Sequence, residues 1–393
     1  MAIRILHVIP ALGRGGAERQ LVTVVCNTRP GEFEHVVCCL RGTDSFADDI
    51  RAAGHSVICL SLSGEHAWVS AAKRLIPLLC RRRPDLVQTW LYDASISARL
   101  AQLFASSVPS VTALQDLIYE PESVRAMNWS PWKIAIRRWI DRVSMTWSRP
   151  MFVAPSHAWE EAAKKHLGIE PSRIRTIYNS VDPEAFCSGP GDAAELRQSH
   201  GIPKDAVVFL NVGRLDPQKG QAYLLRAFHC ILPQAPTAYL VILGDGLLRS
   251  ALRQLASELG IADRVRFPGI RTDVGAFFEM ADVFVFPSVF EGLGLALVEA
   301  MAKGLPCIAS RLPALTEVIA DSSTGMLVRA GTVEELAGAM LGLYGDGARR
   351  AVLGRHAQAD ALRRFHIDAT IPEWERLYRE MVATRNGGSS SAP

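Results

Sequence analysis

No two of the eight cysteines stand at the two-residue spacing of a zinc or redox site; they are scattered, and Cys38 and Cys39 are adjacent. That spacing offers neither a metal-ligand set nor a disulfide framework, and it fits reduced thiols in a cytosolic protein. A run of 18 apolar residues is also missing, so no helix is expected to cross a membrane. Long blocks of one charge are absent too, with charged residues at 21% and hydrophobic ones at 49%, the balance of a globular chain. The N-terminal MAIRILHVIPALGRGG is interrupted by Arg4 and His7 and reads as a first strand, not as a secretory leader. Basic residues form no organised stripe, and the net charge of +3 is mild, which argues against a nucleic-acid partner.

What is present points to two α/β domains. A chain of 393 residues is long for a single core. Residues 1–190 carry 22 Lys/Arg against 18 Asp/Glu, and the remainder 21 against 22, so the first half is the one that would face an anionic partner. Strand-like runs IRILHVI, HVVCCL, SVICL, DLVQT, SVTAL, MFVAP and RIRTI alternate with helical patterns. This predicts βαβ units and a parallel sheet covered on both faces. The rhythm breaks in a Pro/Gly-rich polar stretch and restarts with AVVFLNV, AYLVIL, RVRF, DVFVFP and PCIAS. The expected division is an N-terminal domain over 1–185, a linker over 186–205, a C-terminal domain over 206–367, a helix over 368–385 returning to the N-terminal domain, and a disordered tail over 386–393. Open parallel sheets bind ligands beyond their strand C-termini, so two such domains face to face would share one cleft.

Two strand-to-helix loops suit phosphate. The first strand runs into Gly13, Gly15 and Gly16, and the glycines would let the helix N-terminus approach an anion. A nicotinamide fingerprint would want a further glycine where Glu18 stands, and an ordinary turn is the plain alternative. The second loop, in VVFLNVGRLDPQKG, sets Gly213, Arg214, Lys219 and Gly220 after a strand, a fork of donors and a point charge for a diphosphate. The stretch FEGLGLALVE places Glu291 in the loop after DVFVFP and Glu299 about one turn into the next helix. Two carboxylates on different elements can take different hydroxyls of one ligand, ribose on one and sugar on the other.

Taken together, GGAER (15–19), GRLDPQKG (213–220), LGDG (243–246), FPG (267–269), FPSVFEGLGLALVEAMAKGLPCIAS (286–310) and TGMLV (324–328) resemble the retaining glycosyltransferases of family 4 over nearly the whole chain. The resemblance implies the GT-B fold of two Rossmann-like domains. It implies a hexosyltransferase working on a nucleoside-diphosphate sugar, UDP-sugar favoured and GDP-mannose possible, and on a glycan or polyprenyl-diphosphate-linked acceptor in envelope polysaccharide synthesis. Arg214 and Lys219 would bind the diphosphate, Glu299 the ribose, and Glu291 with Gly292, Leu293 and Gly294 the sugar. Gly15 and Gly16 would close on the phosphates, and Ile270 and Arg271 would flank the base. No DxD motif occurs, in keeping with a metal-independent group, and no cofactor is implied beyond the sugar nucleotide. Gln115 stands where many members place a histidine near the anomeric carbon, and Gln88 and Trp90 replace histidines likewise. A non-hydrolysing sugar-nucleotide epimerase of the same fold and a non-catalytic nucleotide-sugar binder remain alternatives. A glycosidase would leave Arg214 and Lys219 unexplained.

The segment NWSPWKIAIRRWIDRVSMTWSR carries four of the eight tryptophans, Trp129, Trp132, Trp139 and Trp147. Trp132, Ile136, Trp139, Val143 and Trp147 follow helical steps, with Lys133, Arg137, Arg138 and Arg142 mostly off that line. Such a helix could lie on an anionic membrane surface at the inner face of the cytoplasmic membrane, or bury its stripe as an ordinary crossover helix.

Overall fold

A computed structural model describes residues 2–13, 15–42, 46–63, 68–105, 108–116, 119, 124, 130–186 and 192–387, with the side chains of 185, 186, 192 and 385–387 left out. The chain divides into two compact units, Met1–Val124 with Asn128–Ser180 and Ile367–Pro393, and Arg125–Met127 with Val181–His366.

In the first unit, β1 (Ile3–Ile9), β2 (Phe33–Cys39), β3 (Ser56–Cys59), β4 (Leu86–Trp90), β5 (Ser110–Ala113), β6 (Met151–Ala154) and β7 (Ile174–Thr176) form one sheet in the order β3-β2-β1-β4-β5-β6-β7. All neighbours are parallel. The strands read as near-continuous apolar runs because helices cover both faces. One face is closed by the helix Ile367–Gly387, whose Trp374 and Tyr378 are fully buried against β1, β2 and β4. Tyr378 donates its hydroxyl to Gln88 Oε1 at 2.5 Å. Gln88 and Trp90 are thus core residues of β4, both fully buried.

Beneath that helix runs a polar chain with one consistent direction. Trp90 Nε1 can only donate, so His7 Nδ1 accepts from it at 3.2 Å. The His7 proton then sits on Nε2 and is donated to His35 Nδ1 at 2.8 Å, and His35 Nε2–H is donated to Thr28 Oγ1 at 2.7 Å. The backbone N–H of His35 reaches His55 Nδ1 at 3.5 Å. Burial holds His7 well below its ordinary value of 6.5 and His35 down to about 3, with neighbouring histidines adding to both shifts.

In the second unit, β8 (Val207–Val212), β9 (Ala238–Leu243), β10 (Val265–Gly269), β11 (Val283–Phe286), β12 (Cys307–Ser310) and β13 (Met326–Val328) follow the order β10-β9-β8-β11-β12-β13, again parallel. The helix Gln221–Ile231 buries Leu224, Leu225, Phe228 and Ile231 at helical spacing against this sheet. In each sheet the winding direction reverses once, between β1 and β4 and between β8 and β11. The stretch expected as a linker is not bare: it holds a helix, Asp192–Ser199, which belongs to the second unit. Arg197 of that helix donates to the Met280 carbonyl and to Asp282, fastening it to the unit. Residues 388–393 of the expected tail lie outside the described residues.

Candidate active site

The loops after β8 and β11 emerge at the winding reversal of the second sheet, where adjacent connections leave toward opposite faces and open a crevice. β8 stops at Val212, and Gly213–Gly220 turn back before the helix Gln221–Ile231. Gly220 takes φ +67, and a Cβ there would fall 2.1 Å from the Pro287 carbonyl oxygen, so only glycine lets the turn lie against the β11 loop. Two further bonds lock the loops: Val289 N–H to Gln218 O and Gln218 Nε2 to Phe290 O, each 2.9 Å.

On that base, Lys219 Nζ donates to Glu291 Oε1 at 2.6 Å, with side-chain exposures of 18% and 7%. The ammonium also lies 5.3 Å from the centroid of the Phe286 ring. Arg214, on the same turn, is 68% exposed and donates Nε to Asp216 Oδ2 at 2.6 Å. The β11 loop ends at Gly294, which takes φ +83 as the cap of the helix Leu295–Ala302. Leu293 is buried, and Glu299, fifth residue of the helix, is 4% exposed. Glu291 and Glu299 therefore flank a glycine turn and a helix N-terminus, a setting that favours anions and hydroxyl acceptors. Ile270 and Arg271 follow β10, whose Gly269 carbonyl accepts from Gly244 N–H at 2.9 Å. Ile270 is exposed, and Arg271 is bound twice by Asp273, which holds its guanidinium above the ordinary value.

Sequence reading missed the residues that fix this geometry. Gln218 bridges the loops, and Gln221 donates Nε2 to the Arg214 carbonyl at 3.0 Å. Ser288 is fully buried in the β11 loop. Gln218 and Ser288 lay inside the quoted motifs and Gln221 just past one, but glutamine and serine carry no charge to single them out.

In the first unit, Gly15 caps the helix Gly16–Asn27 in extended backbone (φ −92). Glu18 folds back over this N-terminus: a Cβ on Gly15 would come within 2.2 Å of its Oε2. The end expected to receive phosphate thus already faces a carboxylate, which complements the helix dipole itself. Gln115 and Asn179 exchange both amide bonds, at 3.0 and 2.9 Å. The next residue, Asp116, lines a recess with Tyr92, Arg99, Thr112, Tyr119 and Asp141 beyond the ends of β4 and β5. Burial, then the Asp141 charge, raises its carboxyl to about 6. Arg99 holds Asp141 at 2.6 Å, and the Tyr119 hydroxyl donates to the same carboxylate at 3.1 Å.

The helix Pro131–Ser148 buries Ile134, Asp141, Ser144 and Met145, so the aromatic line is not its core stripe. Trp132 is 61% and Trp139 65% exposed, with Ile136 and Lys133 exposed beside them. Arg137 and Arg138 are half-buried and lie over the rings of Tyr92 and Tyr119 at 5.0 and 5.4 Å. Trp129 lies outside the described residues. No described helix is long and apolar enough to cross a membrane.

Two family models divide the chain between them: Glycosyltransferase Family 4 over residues 14–185 and Glycosyl transferases group 1 over residues 192–360. The chain belongs to the family 4, group 1 glycosyltransferases. The glycosyltransferase is 25% identical over 349 residues to the UDP-Gal:alpha-D-GlcNAc-diphosphoundecaprenol alpha-1,3-galactosyltransferase of Escherichia coli, covering 87% of each chain. It is 37% identical over 243 residues to the D-inositol 3-phosphate glycosyltransferase of Acidothermus cellulolyticus, covering 58% of this chain and 53% of that one, about half the relative's length. Among solved structures, Anabaena Alr3699/HepE in complex with UDP-glucose superposes with TM-score 0.82 at 23% identity, over 97% of this chain and 100% of the other, which establishes the GT-B fold.

Proposed function

We propose that this glycosyltransferase moves a hexose from a UDP-sugar to a polyprenyl-diphosphate-linked saccharide with retention of configuration, needing neither metal nor cofactor. The Lys219–Glu291 contact at the winding reversal carries the reading, because it sets a phosphate-binding cation beside a hydroxyl-binding carboxylate. Lys219 and Arg214 hold the diphosphate, and Glu299 takes the ribose. Glu291 and the turn Gly292–Gly294 take the sugar, and the base lies at Ile270 and Arg271.

As the anomeric C–O bond breaks, negative charge grows on the diphosphate, and Lys219 and Arg214 stabilise it. The acceptor oxygen bonds to the anomeric carbon on the face the diphosphate leaves. Its proton passes to the departing phosphate oxygen. Gln115, an amide, cannot shuttle the proton; its side chain exchanges two hydrogen bonds with Asn179 in the loop after β5. The lipid-linked acceptor is supported by the E. coli relative, whose named acceptor is a diphosphoundecaprenol saccharide. The exposed Trp132, Ile136, Trp139 and Lys133 suit the headgroup region of an anionic membrane, where aromatic and cationic side chains anchor together.

The direct test supplies UDP-glucose, UDP-galactose and UDP-N-acetylglucosamine with a short polyprenyl-diphosphate N-acetylglucosamine in the presence of EDTA. UDP release with a product of unchanged anomeric configuration supports the reading; inversion, or a free epimerised sugar nucleotide, overturns it. Lys219→Ala should lower turnover about 100-fold or more, the size seen when one preorganised donor to a charged transition state is removed. A near-normal rate would discredit the assignment. Co-sedimentation with phosphatidylglycerol vesicles should be lost in the double variant Trp132→Glu, Trp139→Glu.

A further inference from the structure

In this site the residue meant for phosphate and the residue meant for sugar are bonded to each other. We infer that this Lys219–Glu291 pair makes the site favour an intact nucleotide sugar over the bare nucleoside diphosphate, so that Glu291 governs product release as well as sugar contact. The inference rests on the donor assignment proposed above.

The physical argument runs through burial. Lys219 Nζ and Glu291 Oε1 are 2.6 Å apart with little solvent on either side chain. The lysine stem has a narrow path: its methylenes lie 3.6–3.7 Å from where a Cβ on Gly213 would stand, and its ammonium rests over Phe286. The loops beneath are fixed to each other at Gln218 and by the close approach of Gly220 to Pro287. A diphosphate must therefore draw the ammonium off a carboxylate that cannot follow it into water. A buried charge that loses its partner is costly. It also repels the incoming phosphate.

A hexose on the diphosphate removes that cost, because its hydroxyls donate to Glu291 where the ammonium had been. Nucleotide sugar replaces both halves of the pair; nucleoside diphosphate replaces only one. Once the sugar has left for the acceptor, Glu291 regains Lys219 and the diphosphate is released.

Calorimetric titration of the full chain with UDP and with the three UDP-sugars tests this. For the tightest sugar nucleotide, the wild type should bind it more tightly than UDP. Glu291→Gln keeps an acceptor oxygen but removes the charge. It should tighten UDP by about tenfold and lower the preference for the sugar nucleotide by at least that factor. Glu291→Asp, which keeps the charge, should keep the wild-type direction of preference. Glu299→Gln serves as control: it touches a part common to both ligands and should weaken both, leaving their ratio in place. Each ratio is measured within one protein, so a loss of folded material does not alter it, and a thermal melt confirms that each variant is folded. An unchanged ratio in Glu291→Gln overturns the inference while leaving the donor site standing. Binding of neither ligand by the wild type overturns the donor assignment and the inference with it.

Discussion

Lowering the pH from 8 to 5 should destabilise the N-terminal unit by up to ~3 kcal/mol, mostly through two histidines. His7 and His35 are fully buried, and their rings serve as acceptors at one nitrogen and donors at the other. A second proton on either ring would set two donors against each other. His35 is held at about 3 and His7 well below 6.5, whereas both titrate near 6.5 once unfolded. Between those values the unfolded chain holds more protons than the folded one, so stability is complete above 6.5 and drains as pH falls toward 3. At pH 5 a ring that stays neutral in the folded unit costs at most ~2 kcal/mol, 1.36 for every unit below its unfolded value, so the pair costs at most ~4. Asp116 acts in the opposite sense. Its carboxyl is raised to about 6 from 3.8, so the folded state takes up a proton first and regains ~1.4 kcal/mol by pH 5. The tryptophans among the described residues all belong to the N-terminal unit, so their fluorescence during urea unfolding reports this unit alone. His35→Gln should remove about half of the histidine share, and Asp116→Asn should steepen the loss. A fall below ~1 kcal/mol in the wild type, or an unaltered fall in His35→Gln, would refute the linkage.

Two substitutions test the packing that positions the sites. Gly220→Ala would drive a methyl group to 2.1 Å from the Pro287 oxygen at φ +67, and should cost ~2–3 kcal/mol in chemical denaturation and weaken UDP binding. Tyr378→Phe leaves Gln88 Oε1 buried without its donor and should destabilise the N-terminal unit by ~1–3 kcal/mol in the fluorescence assay.

The parts of this molecule that were legible in the sequence are those set by short-range rules. Alternating apolar runs announced both parallel sheets, and the glycines with Arg214, Lys219, Glu291 and Glu299 announced a site because their types and spacing are local facts. What escaped depends on partners distant in the chain. Gln88 and Trp90 look like site residues beside their strand end, yet Tyr378, 290 positions after Gln88, makes them core. The aromatic line of the Pro131–Ser148 helix looked as fit to be buried as exposed. Its side was decided by Asp141, which Arg99 and Tyr119 pull inward, taking Ile134 and Met145 with it. The Asp192–Ser199 helix hid in a stretch rich in breakers, and its home depends on partners far along the chain, such as Met280 and Asp282, which Arg197 binds. Lys219 and Glu291 were expected in one site, but their direct bond across 72 positions was not foreseen.

The first unit is interrupted: residues Val181–His366 intervene between its seventh strand and the helix that finishes it, and the interruption opens and closes at one spot, where Val181 N–H meets the Phe365 carbonyl at 2.8 Å. A growing chain therefore exposes the apolar floor meant for Trp374 and Tyr378 until the intervening Val181–His366 has been made. At about 5–20 residues per second, that wait lasts roughly 10–40 s after Ser180 is added. During it the sheet, complete in strands but lacking its closing helix, is a natural client for chaperones, while the inserted unit, with its two ends side by side, can complete itself first.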